Sequence, residues 1–190
     1  MKAKARISPA RWARIRLFAM DVDGILTDGG VYVGSDGAEL KRFYIPDGLG
    51  LAQLRDRGLA LAWISGRASG ATLRRAAELK IPHVVQGRRD KLAALTEVAT
   101  ALGLALGQCV YMGDDVIDAP AIAAAGIGVS VPHGAPAALA AADHVTRRAG
   151  GNGAVREICD LLLAAPAGAP DGAAKRKHRN PGKKSGTSRP

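Results

Sequence analysis

Short apolar runs alternate with longer amphipathic stretches along most of this chain. The runs at residues 17–22, 59–64 and 109–112 are apolar at nearly every position, which is typical of strands buried on both faces of a parallel sheet. Shorter runs at residues 84–85 and 127–129 predict two further strands. Since helical stretches separate these strands, the pattern predicts an α/β fold, a Rossmann-like parallel sheet with helices on both faces.

Capping residues and helix stops set the limits of the predicted helices. Asp47 is expected to be the N-cap of a helix that runs to about Arg57, where Gly58 ends it. Asp90 is expected to cap a helix that runs to about Leu102. The remaining helices are predicted near residues 69–79, 119–125, 135–142 and 154–163.

The segment between the first strand and the first long helix follows a different pattern. Residues 31–33 and 39–45 are rich in residues typical of strands, and turn residues at 34–37 join them. We therefore expect a small β-hairpin at this position in the fold.

Composition limits the kind of protein this can be. Hydrophobic residues make up 47% of the chain but aromatic residues only 4%, so aliphatic side chains must fill the core. Cys109 and Cys159 both lie in apolar segments, which favours buried, reduced thiols over a disulfide or a metal site. No apolar run reaches the ~18 residues of a membrane span, and the N-terminus lacks the apolar region of a signal peptide. No membrane association and a cytoplasmic location are therefore expected.

The formal net charge of +10 resides in the two ends of the chain. Residues 1–16 carry six basic residues and no acidic one, and residues 164–190 carry seven basic residues and one acidic one. We predict a basic N-terminal segment over 1–16, one α/β domain over 17–163, and a disordered basic tail over 164–190. Such a tail could contact RNA or another polyanion, but a solubilising role is the favoured interpretation. No aromatic residue is interleaved with the basic ones, so base stacking is not indicated.

Two carboxylates stand at the carboxyl end of the first predicted strand. Asp21 and Asp23 lie two residues apart, and Gly24 then lets the chain turn sharply. Aspartates at the end of a buried strand need a reason, and ligands of open α/β sheets bind beyond the carboxyl ends of the strands. The pair indicates a site for a metal ion and a phosphate, with one carboxylate as a candidate nucleophile.

Three further motifs fall at the same edge of the predicted sheet. Ser65 and Gly66 follow a strand and could donate hydrogen bonds to a phosphoryl oxygen, although Ser-Gly at a strand end is usually only a turn. Lys91 lies in the first turn of a helix, where the helix dipole disfavours it, which supports a role as a point charge for a phosphoryl group, although most such lysines are simply solvated. Residues 113–118 read Gly-Asp-Asp-Val-Ile-Asp. Beside Asp21, these carboxylates would repel one another without a cation, and such ligands suit Mg²⁺.

This ordered set, Asp-x-Asp, Ser, Lys and Gly-Asp-Asp-x-x-Asp, resembles the haloacid dehalogenase superfamily of phosphohydrolases over the whole predicted domain. The resemblance implies that Asp21 attacks phosphorus and becomes an aspartyl-phosphate, while Asp23 protonates the leaving alcohol and later deprotonates water. It also implies a magnesium site made by Asp21, the carbonyl of Asp23 and Asp114. Ser65 and Lys91 would bind the transferred phosphoryl group.

The resemblance implies that either Asp115 or Asp118 orients the ligands of the metal, and it does not decide between the two. Members of the superfamily often carry an inserted lid domain, and the spacing here leaves no room for one. Only 18 residues separate Asp28 from Asp47, enough for the hairpin, and the interval after Lys91 holds one helix. The expected fold therefore has no cap domain, and a neighbouring subunit is the obvious candidate to close the site.

Within the superfamily, the chain is similar to the capless phosphatases of 3-deoxy-D-manno-octulosonate 8-phosphate. That family acts in lipopolysaccharide precursor synthesis and assembles as a tetramer through its hairpins. The implied substrate is therefore a phosphorylated sugar acid, and the implied partner is a second copy of the chain in a homotetramer. Beyond the catalytic motifs, the similarity is carried by Phe43, Asp47-Gly48, Ser65-Gly66-Arg67, Gln86-Gly87, Asp90-Lys91 and the residues Gly-Gly-Asn-Gly-Ala-Val-Arg-Glu at 150–157.

By this similarity, several residues would contact the substrate outside the phosphoryl group. Arg67 and Arg75 would bind its carboxylate or hydroxyls, since arginine suits planar carboxylate recognition. Asp47 and Gly48 would line the pocket, and Arg156 is a further candidate. The full predicted substrate-binding set is Asp23, Asp47, Gly48, Ser65, Gly66, Arg67, Arg75 and Lys91.

The chain departs from this family at Pro46 and Ala52, where family members often have a basic pocket residue. The departure leaves the phosphoryl chemistry in place but keeps a nine-carbon sialic-type acid 9-phosphate open as the substrate. An alternative of another class is a receiver-type phosphoacceptor domain, which also clusters Asp, Ser or Thr, and Lys. Asp23 argues against that alternative, because it is placed to speed hydrolysis. The four histidines form no cluster with ligand spacing and have no assigned role.

Overall fold

The structure, a computed structural model, describes residues 7–166, and its centre is a six-stranded sheet. In chain order the strands are β1 (Leu17–Met20), β2 (Tyr32–Val33), β3 (Glu39–Leu40), β4 (Ala60–Ile64), β5 (His83–Val85), β6 (Cys109–Met112), β7 (Ile127–Ser130) and β8 (His144–Val145). The central sheet has the order β5-β4-β1-β6-β7-β8, and all its neighbouring pairs are parallel. β2 and β3 pair antiparallel as a separate hairpin.

Helices cover both faces of this sheet, as predicted. They are α1 (Pro9–Ala13), α2 (Ile45–Asp56), α3 (Gly70–Glu78), α4 (Lys91–Ala101), α5 (Ala119–Ala124), α6 (Pro136–Ala141) and α7 (Ala154–Ala164), with a 3₁₀ turn at Leu106–Gln108. Side chains of β1 alternate between two apolar cores. Phe18 and Met20 belong to the core under α2 and α7, while Leu17 and Ala19 belong to the core under α4, α5 and α6. The alternation follows from the pleat of the strand.

The hairpin is the only secondary structure between β1 and α2, so the fold has no cap domain. Its second strand is shorter than predicted, since residues 41–44 belong to no strand, and α2 begins at Ile45, earlier than the sequence suggested. The N-cap of α2 is Tyr44, with Pro46 in the first turn, where a missing N–H costs no helical hydrogen bond. The prediction that Asp47 is the N-cap was wrong: Asp47 lies inside the first turn of α2 and its carboxylate faces α7.

Besides the 3₁₀ turn, two short elements were not predicted. β8 has two residues and α1 has five, too few to give a clear periodic pattern. Trp12 on α1 is nevertheless buried in the core beside α7, ahead of the predicted domain start at residue 17. The boundaries 17–163 remain a prediction, and most of the expected tail lies outside the described residues. None of the helices between residues 7 and 166 is long and apolar enough to cross a membrane.

Candidate active site

The strand order brings the two predicted acidic motifs together. β1 lies between β4 and β6, at the point where the chain reverses its direction of progress across the sheet, and such points form ligand crevices. Asp21 follows β1, and its backbone N–H donates to the carbonyl of Met112 at the end of β6 over 2.9 Å. Carboxylate oxygens of Asp21, Asp114 and Asp118 consequently all lie within 4.8 Å of one another.

Glycines permit this close approach of the two motifs. Gly24 has a φ of +88°, and a Cβ at this position would overlap the carboxylate of Asp114. Gly113 lies in the same way against the side chain of Asp118. Any larger residue at either position would push the carboxylates apart.

Lys91 supplies the positive charge inside the acidic cluster. Its side chain is fully buried, and its Nζ lies 2.8 Å from Asp21 Oδ1 and 3.1 Å from Asp118 Oδ1. Nζ also donates to the carbonyl of Ile64 at the end of β4 over 2.9 Å. Burial by itself lowers the pKa of this lysine, but the two carboxylates outweigh that effect and raise it. Lys91 is therefore a fixed cation, which explains a lysine in the first turn of α4.

Asp118, unlike Asp115, has its side chain inside the acidic cluster. Both of its oxygens are occupied: Oδ1 accepts from Lys91 and from Tyr111 Oη over 2.8 Å, and Oδ2 accepts from the backbone N–H groups of Asp114 and Asp115 over 3.3 and 3.1 Å. The side chain of Asp115 is exposed and accepts from the backbone N–H of Val116. Asp118 is thus the carboxylate that orders the loop, and Asp115 faces solvent.

The remaining carboxylates fit a divalent cation. Burial, followed by repulsion from Asp118, raises the pKa of Asp21 to about 6 despite the opposing effect of Lys91. Burial, followed by repulsion from Asp21 and Asp118, raises the pKa of Asp114 to about 7. Asp114 Oδ1 is buried and accepts no hydrogen bond within the described part of the chain. An unpaired buried carboxylate oxygen beside two other carboxylates is what a hard ion such as Mg²⁺ requires.

Ser65 and Gly66 lie next to this cluster, at the end of β4. The Ser65 side chain is buried, and its Oγ accepts from the backbone N–H of Arg67 over 3.1 Å. A Cβ on Gly66 would lie 4.0 Å from Cε of Lys91. The structure therefore brings Asp21, Ser65, Gly66, Lys91 and Asp114 to one place, as their positions at strand and helix ends predicted.

The side chain of Asp23 has a partner that sequence reasoning missed. Its Oδ1 lies 2.7 Å from Nζ of Lys41, which follows strand β3 of the hairpin. The carboxylate of Asp23 thus pairs with the hairpin, and among the described residues it is not a member of the cluster formed by Asp21, Asp114 and Asp118. No spacing rule links residues 23 and 41, so only the packing of the hairpin could reveal this pair.

Arg67 is tied to the hairpin as well. Its Nη2 lies 2.9 Å from Oε2 of Glu39, and the side chain is half exposed. Oε1 of Glu39 accepts from the hydroxyl of Ser69, which caps α3. The predicted specificity residue therefore lies at the rim of the site, where an incoming anion would compete with Glu39 for it.

Arg75 lies on α3, beside Phe43 and Gly48. Its guanidinium is largely buried, pairs with Glu78 over 2.8 Å and lies 6.0 Å from the ring centroid of Phe43. A Cβ on Gly48 would come within 2.5 Å of Arg75 Nη2, so the glycine provides the space for this side chain. Nε of Arg75 is buried and finds no acceptor among residues 7–166.

Asp47 is buried away from the acidic cluster. Its Oδ1 accepts from the backbone N–H of Arg156 over 2.7 Å at the start of α7. Burial raises the pKa of Asp47 to about 6, although hydrogen bonds from Arg156 and Gly153 oppose the shift. In this chain Asp47 joins α2 to α7, and the structure does not bring it to Asp21.

Pro46 borders a cavity of about 440 Å³ at the N-terminal ends of α2 and α7. Arginines line this cavity and supply positive charge, although residue 46 itself carries none. The cavity is lined by Tyr44, Pro46, Arg147, Arg148, Gly153, Arg156, Glu157 and Asp160.

The chain matches known proteins over most of the region just described. A family model for haloacid dehalogenase-like hydrolases matches residues 79–158. The chain is 43% identical to the 3-deoxy-D-manno-octulosonate 8-phosphate phosphatase KdsC of Escherichia coli K12 over 156 residues, covering 82% of this chain and 83% of that one. It is 44% identical to the KdsC of Yersinia pestis over 155 residues, with the same coverage of 82% and 83%.

Solved structures agree with the observed fold. The 3-deoxy-D-manno-octulosonate 8-phosphate phosphatase of Moraxella catarrhalis, solved with a magnesium ion, a phosphate ion and a KDO molecule, superposes with a TM-score of 0.81 at 50% identity. The alignment covers 83% of this chain and 90% of that one. The cobalt-bound phosphatase of Haemophilus influenzae superposes with a TM-score of 0.78 at 37% identity, covering 82% of this chain and 91% of that one.

Proposed function

The chain belongs to the 3-deoxy-D-manno-octulosonate 8-phosphate phosphatase family of haloacid dehalogenase-like hydrolases, and on that basis we propose that it hydrolyses this sugar-acid phosphate to the free sugar acid and inorganic phosphate. The reaction belongs to lipopolysaccharide precursor synthesis. The observation that carries the proposal is the arrangement of Asp21, Lys91 and Asp114 at one edge of the sheet, with a buried oxygen on Asp114 that has no hydrogen-bond partner among residues 7–166.

The first step transfers the phosphoryl group to the protein. A carboxylate oxygen of Asp21 forms a bond to phosphorus as the bond from phosphorus to the sugar oxygen breaks, and Asp23 gives its proton to that oxygen. In the second step Asp23 takes a proton from water as the water oxygen attacks phosphorus. The bond to Asp21 then breaks and its carboxylate is restored with the release of phosphate.

Charge neutralisation drives most of the rate in such a transfer, and this chain has the residues for it. Lys91 and Ser65 are proposed to bind the oxygens of the transferred phosphoryl group, with Lys91 held in place by Asp118. Asp21, Asp114 and the carbonyl of Asp23 would hold Mg²⁺, which when bound neutralises negative charge on the carboxylates and the phosphoryl group.

Recognition of the sugar acid is proposed to come from the rim of the site. Arg67 is half exposed and needs only to exchange Glu39 for a substrate carboxylate. Arg75 has a buried Nε that finds no acceptor within the described part of the chain. Asp47 and Gly48 are proposed to shape the pocket beside these arginines. Asp47 fixes α2 on α7, and Gly48 leaves the space that Arg75 occupies. The arginines around Pro46 supply positive charge where the family more often has a basic residue at position 46 itself.

Assembly into a homotetramer through the hairpins is proposed to complete the site. The hairpin and the start of α2 expose apolar side chains that a monomer would leave in water, which is typical of an interface. These residues are Tyr32, Val33, Leu40, Ile45 and Leu49. A neighbouring subunit on this surface would cover the rim beside Arg67. The cytoplasmic location expected from the sequence remains a prediction.

Phosphate release from a panel of phosphorylated sugars and sugar acids, with Mg²⁺ and with EDTA, tests the proposal. We expect Mg²⁺-dependent release with strong preference for 3-deoxy-D-manno-octulosonate 8-phosphate. Preference for a nine-carbon acid 9-phosphate would support the proposed phosphatase reaction but show that the proposed substrate is wrong. A stable phosphoprotein without release would instead support the receiver-type alternative.

A further inference from the structure

The hairpin reaches back to the catalytic carboxylates through one lysine. Lys41 follows β3, its side chain is fully buried, and its Nζ lies 2.7 Å from Oδ1 of Asp23. We propose that Lys41 is a positioning residue that orients the carboxylate of Asp23 for its proton transfers, which makes the hairpin part of the catalytic machinery of its own subunit. The proposal rests on the proposed function, since it assigns Lys41 a task in that reaction.

The burial of Lys41 requires an explanation of this kind. A lysine ammonium is almost never fully buried without partners, because removing it from water is costly unless opposite charges surround it. Two carboxylates meet that need, with Asp23 at 2.7 Å and Glu39 at 3.7 Å. Nζ also donates to Oγ1 of Thr72 on α3 over 3.3 Å. The ammonium group is thus held from three sides and has little freedom to move.

The surrounding contacts direct this charge at Asp23. Glu39 is already engaged by the hydroxyl of Ser69 and by Arg67 at 2.9 Å, so it is a shared acceptor. The contact of Lys41 with Asp23 is shorter than its contact with Glu39 by a full ångström. The geometry therefore favours Asp23 as the main partner of the lysine.

Fixing one oxygen of Asp23 determines what the other can do. With Oδ1 held by the ammonium group, Oδ2 is the oxygen available to exchange a proton with the leaving alcohol or with water. General acid catalysis depends on such alignment, and misplacement by about 1 Å can cost about 10²-fold in rate. Without Lys41 the carboxylate could rotate, and proton transfer to a poor leaving group would suffer first.

The test compares two leaving groups in the same variant. An alkyl phosphate needs its leaving oxygen protonated, whereas p-nitrophenyl phosphate has a leaving group that departs without help. In Lys41→Met we expect kcat/KM for the sugar-acid phosphate to fall about 10–100-fold and that for p-nitrophenyl phosphate to fall less than about fivefold. The parameter kcat/KM reports only the steps up to formation of the phosphoenzyme. It therefore excludes hydrolysis of the phosphoenzyme, a step that is the same for both substrates.

Control variants separate positioning from folding and from binding. Lys80→Met removes an exposed lysine beyond the end of α3 and should leave kcat/KM unchanged for both substrates. Lys41→Arg keeps the charge and should recover part of the lost activity. Inhibition by inorganic phosphate should stay within about threefold of wild type in Lys41→Met, since Lys91 and Ser65 are intact. If Lys41→Met does not fold, Thr72→Val weakens the same support and should show the same leaving-group signature at a smaller size.

A double-mutant cycle with Asp23→Asn gives the sharpest outcome. If Lys41 acts through Asp23, adding Lys41→Met to Asp23→Asn should lower kcat/KM for the sugar-acid phosphate by less than about twofold further. Additive losses, or equal losses on both leaving groups, would overturn the proposal. A raised KM with unchanged kcat would also overturn it, because Lys41 would then bind the substrate directly.

The wild-type enzyme distinguishes failure of this proposal from failure of the proposed function. If it rejects the octulosonate 8-phosphate but hydrolyses another primary alkyl phosphate, only the proposed substrate fails. The Lys41 comparison then uses that alkyl phosphate, with the same two outcomes. If it hydrolyses no phosphomonoester, both proposals fail together.

Discussion

The two halves of the candidate site are built in different ways. At the phosphoryl end, Asp21 and Asp118 are buried and both pair with Lys91, and backbone contacts anchor the group to the ends of β1, β4 and β6. At the recognition end, Arg67 and Glu39 lie at the rim and come from the hairpin and the loop before α3. The first half is fixed by the sheet, and the second depends on side chains that surface elements bring together.

This difference predicts how substitutions will act. Changes at the phosphoryl end should lower turnover for every phosphomonoester, because all substrates share the phosphoryl group. Changes at the recognition end should affect only substrates that carry a sugar acid. Removing one member of a buried ion pair at the phosphoryl end should also destabilise the fold, since the remaining charge is left buried without its partner.

The largest effect is expected for Asp21→Asn. The amide cannot form the aspartyl-phosphate, so kcat should fall by at least about 10⁴-fold on every substrate. Steady-state phosphate release measures this, and Asp28→Asn, a partly exposed aspartate nearby, is the matched control. Turnover close to that of wild type in Asp21→Asn would refute the mechanism.

Lys91→Met should have two effects at once. Loss of the charge that faces the phosphoryl group should lower kcat by about 10²–10³-fold. The same loss leaves Asp21 and Asp118 without their shared cation, so the free energy of unfolding without Mg²⁺ should fall by about 3–5 kcal/mol. Urea denaturation and phosphate release measure the two effects, with Lys80→Met as the control. Loss of activity without loss of stability would mean that the cluster is not held together by Lys91.

The same division explains what the sequence could predict. Asp21, Ser65, Lys91 and Asp114 each stand at the end of a strand or the start of a helix, so their place at the carboxyl edge of one parallel sheet was enough to predict them as neighbours, and the strand order came only from the structure. Lys41 could not be found in this way.

Contacts at the recognition end join residues far apart in the chain through packing of irregular segments. The pairing of Asp47 with the backbone of Arg156 spans 109 positions, and nothing in the local pattern around Asp47 distinguishes a buried tie from an N-cap. Its N-cap assignment failed for this reason, because Tyr44 and Pro46 already start the helix.

Arg67→Ala should test the recognition end. Removing a charged hydrogen bond to the sugar-acid carboxylate should lower kcat/KM for that substrate by about 10–100-fold, mainly through KM. Hydrolysis of p-nitrophenyl phosphate should change by less than about twofold, since it lacks that carboxylate. Arg74→Ala, an exposed arginine on α3, is the matched control. Equal losses on both substrates would remove Arg67 from specificity and assign it to the phosphoryl end.

The smallest effect on activity, and a clear effect on stability, is expected for Asp47→Asn. Burial raises the pKa of Asp47 to about 6, above its ordinary value of 3.8, so the wild-type protein is most stable when this group is protonated and loses stability as the pH rises through about 6. Asparagine keeps the acceptor for the N–H of Arg156 but carries no charge. The difference in unfolding free energy should therefore be small near pH 4 and reach about 1–3 kcal/mol in favour of the variant at pH 8.

Urea denaturation without Mg²⁺ at pH 4, 6 and 8 measures this difference, with the exposed Asp56→Asn as the control. KM for the sugar-acid phosphate should change by less than about threefold, because the join between α2 and α7 is kept. A pH-independent difference would mean that Asp47 is not a buried carboxylate in solution. A large rise in KM with unchanged stability would place Asp47 in contact with the substrate, and the recognition end would then extend beneath the rim to the start of α2.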